Sequence, residues 1–145
     1  MFINILVAID GSTYAAKALD YAVGLAEKFS SKISLVHVVP TMNAISPKLG
    51  SSGSKYVEEM IAGLEEEGRN ILTVGEKTVT ISNIAVKAIL THGDAADKII
   101  EAAEETKADL IVVGDRGLGS GGRFPLGSIA YKVSQHAKCP VLIIK

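Results

Sequence analysis

Asp109-Leu-Ile-Val-Val-Gly-Asp-Arg-Gly-Leu-Gly-Ser-Gly-Gly-Arg-Phe-Pro-Leu-Gly-Ser128 is the stretch on which the reading of this chain turns. Leu110 to Val113 is a short apolar run, the pattern of a fully buried strand. It ends at Gly114 and enters a segment with glycines at 114, 117, 119, 121, 122 and 127. Ser128-Ile-Ala-Tyr-Lys-Val-Ser-Gln-His136 then reads as a helix. A strand that runs through a glycine-rich loop into a helix leaves backbone N–H groups unpaired at the positive end of the helix dipole. Such a place attracts anions, phosphate above all.

Working outward, the same strand-then-helix pattern recurs. Phe2 to Ile9 is a near-continuous apolar strand ending at Asp10-Gly11-Ser12, and Ser12 is a good N-cap for the next helix. That helix carries Ala15, Ala16, Leu19, Ala22, Val23, Ala26 and Phe29 at three- and four-residue spacing. Ile33 to Val39 is a second strand stopped by Pro40, and Thr41 to Ser54 has loop composition. From Lys55 the helical period returns through Val57, Ile61, Leu64 and Leu72. It is extended to about Ser82, with Asn83 as the stop because Asn tolerates the left-handed conformation found there. Ile84 to Thr91 is a third strand, and Gly93-Asp94 opens a helix with Ala95, Ala96, Ile99, Ile100 and Ala103 on one face. Val141 to Ile144 makes a fifth strand.

Five strands and, counted generously, as many helices in alternation predict an α/β fold with a parallel sheet joined by right-handed crossovers. The expected architecture is a five-stranded open sheet of order 3-2-1-4-5 with helices on both faces, Rossmann-like. In such sheets ligands bind beyond the carboxyl ends of the strands, where strand order reverses. Here that point lies between the first and fourth strands, so Asp10-Gly11-Ser12 meets the loop from Gly114 to Ser128. A carboxylate beside a glycine loop is a nucleotide site in outline.

Composition narrows the classes. At 145 residues the chain is expected to form one domain, residues 1–145, with a real core. A net charge of −1 argues against a nucleic-acid partner, which needs a basic surface. No apolar run approaches the roughly 18 residues of a membrane span. The N-terminus has no basic region ahead of its apolar run, so it is read as a strand and not a signal peptide. A lone cysteine, Cys139, fits a reducing cytoplasm and is read as structural filler in preference to a reactive thiol.

Gly117, Gly119 and Gly122 spell a G-x-G-x-x-G. As a dinucleotide fingerprint it fails, because that motif needs an acid roughly twenty positions on, at the end of the next strand. The next strand here is Val141-Leu-Ile-Ile-Lys145, which holds none. There is no Walker A sequence and no G-x-S-x-G. His37, His92 and His136 show no zinc spacing, and Glu65-Glu66-Glu67 reads as a solvated helix face.

Another spacing does fit: Gly114, two residues, Gly117, nine residues, Gly127-Ser128. It resembles the G-x2-G-x9-G-[ST] signature of the ATP-binding branch of the universal stress protein family. The resemblance covers the whole chain. Val7-Ala-Ile-Asp-Gly-Ser12, His37-Val38, His92-Gly-Asp-Ala-Ala96 and Cys139-Pro-Val-Leu-Ile-Ile144 all look like that family, in the right order.

The resemblance implies roles position by position. Asp10 would face ribose and adenine, Val38 would line the adenine pocket, and Ala8 and Ile9 would bring the first strand's backbone to the nucleotide. Val113 and Gly114 would flank the ribose and α-phosphate, and Gly117 would give its N–H to the phosphates. Gly127, Ser128 and Ile129 would hold the β- and γ-phosphates. It further implies ATP with Mg²⁺ or Mn²⁺ carried on the phosphates, and a homodimer pairing Val141 to Ile144 with its mate. An apolar edge strand without a neighbour points the same way.

Asp115 departs from the family pattern, which commonly has a small or hydroxylated residue there. It either points to solvent or pairs with Arg116 or Arg123, or it helps bind a divalent metal. Arg123 is the candidate for an extra phosphate contact, with a solvated surface position as the alternative. The expected function is a cytoplasmic ATP-binding switch in a stress response, acting through an unknown protein partner and not on nucleic acid or membrane. The alternatives are a slow ATPase or nucleotidyl-transfer enzyme, and a module for AMP or ADP. Binding is favoured because phosphoryl transfer needs a base and a metal-holding carboxylate near the γ-phosphate, and only Asp10 and Asp115 are near.

Overall fold

The computed structural model describes residues 1–42, 54–117 and 126–145. Strands β1 (Asn4–Ala8), β2 (Lys32–Val39), β3 (Val86–His92), β4 (Leu110–Gly114) and β5 (Val141–Ile144) form one parallel sheet of order β3-β2-β1-β4-β5. The expected order and the reversal between the first and fourth strands are both present.

Among the described residues four helices connect the strands, not five: α1 (Thr13–Phe29), α2 (Ser54–Thr80), α3 (Ala95–Glu105) and α4 (Ser128–His136). The segment Thr41 to Ser54, read from sequence as a loop, lies almost wholly outside the described residues, and its last residue opens α2.

The strands read as apolar runs because both faces of the sheet are covered. On one face Ile5, Val7, Ile9, Ile33 and Leu35 pack against Ala18, Leu19 and Ala22 of α1 and Leu72 and Val79 of α2. On the other, Leu6, Val36, Ile111 and Val113 pack against Ile99 and Ala102 of α3 and Ala130 and Val133 of α4. The α1 stripe is rotated slightly from the sequence reading. Ala18 is buried where Ala16 was expected, and Phe29 is largely exposed, its ring edge-on to Phe2 at 5.5 Å.

Element ends follow local chemistry. Ser12 caps α1, its side chain accepting from the Ala15 amide. Asp94 caps α3 through the Asp97 amide. Helix α2 stops at Thr80, two residues short of the expected Ser82, because the amides of Ser82 and Asn83 bond back only three residues, to Val79 and Thr80. Asn83 is left-handed, with φ 56°, as the stop required. The first strand is shorter than expected at both ends. The third begins at Val86 and not at Ile84. At the amino end of the sheet the Asp109 carboxylate accepts from the Ile3 and Asn4 amides, at 2.8 and 3.2 Å, and fixes β1 beside β4.

Candidate functional site

A cavity of about 250 Å³ opens at the carboxyl ends of β1, β2 and β4, over the N-terminus of α4. Its lining includes Ala8, Ile9, Asp10, Val38, Val113, Gly114, Gly117, Gly127, Ser128 and Ile129. These are ten of the eleven site residues singled out from the sequence. The eleventh, Arg123, lies outside the described residues, as do Gly119 and Gly122. The sequence reading did not include His37, Ala95, Ile99 or Ala130 among the lining residues. His37 and Ile99 were detectable: one neighbours Val38 on β2, the other is the first large apolar residue of α3.

Helix caps single out the N-terminus of α4 among those at this end of the sheet. The N-termini of α1 and α3 are closed by Ser12 and Asp94. At α4 the N-cap is Gly127, which has no side chain to offer, and no side-chain bond caps the helix. The amides of Ser128, Ile129 and Ala130 have no hydrogen-bond partner among the described residues. Unpaired amides at a positive helix end suit an anion.

Not every amide of the stretch is bare. Asp115 N–H donates to the Ile144 carbonyl at 2.7 Å, and Gly127 N–H donates to the Asp115 carbonyl at 2.9 Å. The Gly127 amide, expected from the sequence to face phosphate, is therefore already engaged, and the amides left without a partner among the described residues are those of the next three residues.

The glycines also have structural reasons that precede any ligand. A Cβ on Gly127 would stand 2.5 Å from the Asp115 carbonyl oxygen, and one on Gly114 would stand 2.8 Å from Tyr14 Cβ of α1. A Cβ on Gly117 would lie 2.5 Å from Asp10 Oδ2. The Asp10 carboxylate is held by the Ser12 amide, 2.9 Å from Oδ1.

Asp115 does not point to solvent. It is buried, with a relative exposure of 7%. Its Oδ2 lies 3.9 Å from Arg116 Nε, an ion-pair distance too long for a hydrogen bond, and its Oδ1 is buried without a hydrogen-bond partner among the described residues. The expectation for the glutamates is corrected too. Glu65 is half-buried and sits 2.7 Å from His92 Nε2, while Glu66 and Glu67 are exposed.

A second cavity, about 360 Å³, opens between α1 and α2, with Leu19, Ile71 and Val74 among its lining. It is larger but mostly apolar, and the helix N-terminus it touches is already capped by Ser12. Chemistry, not size, places the candidate site over α4. Among the described residues no three His, Cys, Asp or Glu side chains cluster as metal ligands. No helix among them is long and apolar enough to cross a membrane.

The family model described as "Universal stress protein family" matches residues 1–145. The chain belongs to the universal stress protein family. It is 37% identical over 150 residues to universal stress protein YxiE of Bacillus subtilis, covering all of both chains. Universal stress protein UspA from Lactobacillus plantarum superposes with a TM-score of 0.88 at 26% identity, over 99% of this chain and 97% of that one. A universal stress protein solved in complex with cAMP superposes with a TM-score of 0.73 at 25% identity, over 99% and 97%. The parallel five-stranded sheet is thus a universal stress protein fold, and some of its structural neighbours bind nucleotides.

Proposed function

We propose that this chain binds ATP at the carboxyl ends of β1 and β4, with Mg²⁺ or Mn²⁺ on the phosphates, and serves as a stress-linked switch read by a partner protein. In this reading residues 1–145 act as one domain in the cytoplasm, paired into a homodimer through β5. The observation that carries the proposal is the convergence of ten sequence-selected residues on one cavity beside the uncapped N-terminus of α4.

The chemistry of the lining supports an adenine nucleotide. Val38 and Val113 offer apolar walls to a base. Asp10, steadied by the Ser12 amide, offers a carboxylate oxygen to a ribose hydroxyl. The amides of Ser128 and Ile129 and the Ser128 hydroxyl offer donors to phosphate, each charge-assisted bond contributing roughly 1.5–3 kcal/mol. The structural neighbour solved with cAMP supports the adenine part. The Gly114-x2-Gly117-x9-Gly127-Ser128 spacing supports the triphosphate. A cation would take most of its oxygens from the phosphates. Hydrolysis is at most slow, because Asp10 is engaged by Ser12, the other carboxylate of the lining is the buried Asp115, and His37 Nδ1 is bonded to the Ile9 carbonyl.

A second reading, a shorter nucleotide such as AMP, is favoured by the buried carboxylate of Asp115 in the same wall.

The test is thermal unfolding with saturating ATP and Mg²⁺, together with mass identification of small molecules released from the purified protein. A ligand at about 100 times its Kd stabilises by roughly 2.7 kcal/mol. Ser128→Pro is the informative variant, since it removes one amide and one hydroxyl at a helix position that proline favours. Gly127, at φ −65° and ψ 153°, already has the extended conformation that proline imposes on its predecessor. The variant should melt near the parent without nucleotide and lose most of the ATP-induced shift. An equal shift in both proteins would move the site elsewhere.

A further inference from the structure

We propose that Asp115 sets the length of phosphate tail the cavity accepts, disfavouring metal-free di- and triphosphates, admitting them when a divalent cation bridges, and leaving a monophosphate nearly untouched. The inference rests on the nucleotide reading given above. It concerns a residue to which that reading gives no contact with ATP.

The backbone of Asp115 is pinned on both sides. Its N–H donates to Ile144 and its carbonyl accepts from Gly127. Its Cα and Cβ are therefore held next to the residue that precedes α4, and burial leaves the side chain little room to turn. Its relative exposure as a side chain is 10%, and Oδ1 has no hydrogen-bond partner among the described residues. A buried carboxylate oxygen without a donor is costly, so it demands a hydrogen-bond donor or a cation. A phosphate oxygen is neither.

The same wall holds the amides of Ser128 and Ile129, which have no partner among the described residues. Phosphate drawn to them arrives beside a fixed negative charge, with Arg116 offsetting it in part from 3.9 Å. Asp10 adds to the field. It lines the same cavity as Asp115, two residues past the end of β1 as Asp115 is one past the end of β4.

Each further phosphate adds negative charge to the tail, and repulsion between unit charges grows as the effective dielectric falls in a partly enclosed site. A monophosphate reaches the amides with the least charge near Asp115. A divalent cation reverses the sign, because a carboxylate offers hard oxygen donors of the kind Mg²⁺ and Mn²⁺ prefer.

The experiment is calorimetric titration of the full chain and of Asp115→Asn with AMP, ADP and ATP, each with EDTA and with Mg²⁺. For the parent, Mg²⁺ should tighten ATP by about tenfold or more, a shift expected when a repulsive contact becomes attractive, and should move AMP far less. In Asp115→Asn, metal-free ATP should tighten by about tenfold and the Mg²⁺ dependence should shrink. Asparagine keeps the shape and supplies a donor.

If the variant binds with the parent's ATP-to-AMP ratio and the parent's Mg²⁺ dependence, the inference fails while the nucleotide reading stands. If the parent binds none of the three nucleotides, both fall. A second measurement does not depend on folding of the variant: competition of monophosphate, pyrophosphate and tripolyphosphate for the parent's site without metal. Weaker binding with increasing length supports the proposal, and equal or tighter binding with length overturns it.

Discussion

Nδ1 of His37 lies 2.8 Å from the carbonyl oxygen of Ile9, and this bond ties the carboxyl ends of β1 and β2 together beneath α2. A carbonyl only accepts, so Nδ1 carries the proton and the ring is fixed in one tautomer when neutral. Gly68 of α2 lies over the ring, since a Cβ there would approach His37 Cδ2 to 2.6 Å. The bond holds Ile9 and Val38 at their places in the cavity wall. His37→Phe keeps a ring of similar size and removes the donor. It should lower stability by about 1–3 kcal/mol, the cost of stranding a half-buried carbonyl, and weaken nucleotide binding with it. Urea unfolding of the two proteins is the check, and coincident curves would show that the bond contributes nothing.

Helix glycines in this chain divide by the space around them. Gly24 and Gly63 would place a Cβ in open space, with nothing within 4 Å. Alanine at either should raise stability by about 0.5–1 kcal/mol through helix propensity and a less flexible unfolded chain. Gly75 would drive its Cβ to 2.8 Å from Ile9 Cδ1 and 2.9 Å from Leu35 Cδ1, both core residues. Gly75→Ala should lower stability by about 1–3 kcal/mol through overpacking. Equal melting points for Gly24→Ala and Gly75→Ala would contradict this division.

The sheet was legible in the sequence because its strands are covered on both faces and so read as unbroken apolar runs, Leu110 to Val113 most plainly. Strand order and the cavity position followed from the alternation of elements and the reversal rule. Arg116 was among the partners expected for Asp115 and lies at ion-pair distance, but the burial of the carboxylate was not legible, because local sequence carries no signal for it. Its backbone is bonded to Ile144 and Gly127, partners distant in sequence, and the first of these bonds continues the pairing of β5 with β4. Gly114 was read as a phosphate contact, yet its lack of a side chain is required by the approach of Tyr14 from α1, a partner a hundred residues away. Period alone carried α2 too far, because the apolar spacing of Val79 and Ile81 continues through a turn that Asn83 actually closes.

Cys139 should be slow toward thiol reagents. Burial first, and then the charge of Asp109, hold its thiol above the ordinary value of 9.0. A raised pKa keeps the group protonated at neutral pH, and only the thiolate reacts. The pH midpoint for iodoacetamide labelling of the native chain should lie above that of the same chain unfolded in urea, and neutral-pH labelling should accelerate on unfolding. A native midpoint at or below the unfolded one would overturn the burial argument.

Self-association should run through β5, an edge of the sheet next to β4 alone. The carbonyls of Pro140 and Ile144 accept from Ile111 and Asp115 of β4. By strand alternation, Val141 and Ile143 then turn their own N–H and C=O groups outward, a free template for a second copy. Ile143→Pro removes an outward donor without touching a bond to β4, at an edge position where proline is tolerated. The parent should sediment as a dimer at micromolar concentration. The variant should sediment as a monomer with its far-ultraviolet circular dichroism unchanged and a melting point lowered modestly by lost packing of Ile143 against the α3–α4 face. A monomeric parent would exclude β5 as a stable interface. A dimeric variant would place the contact on another surface.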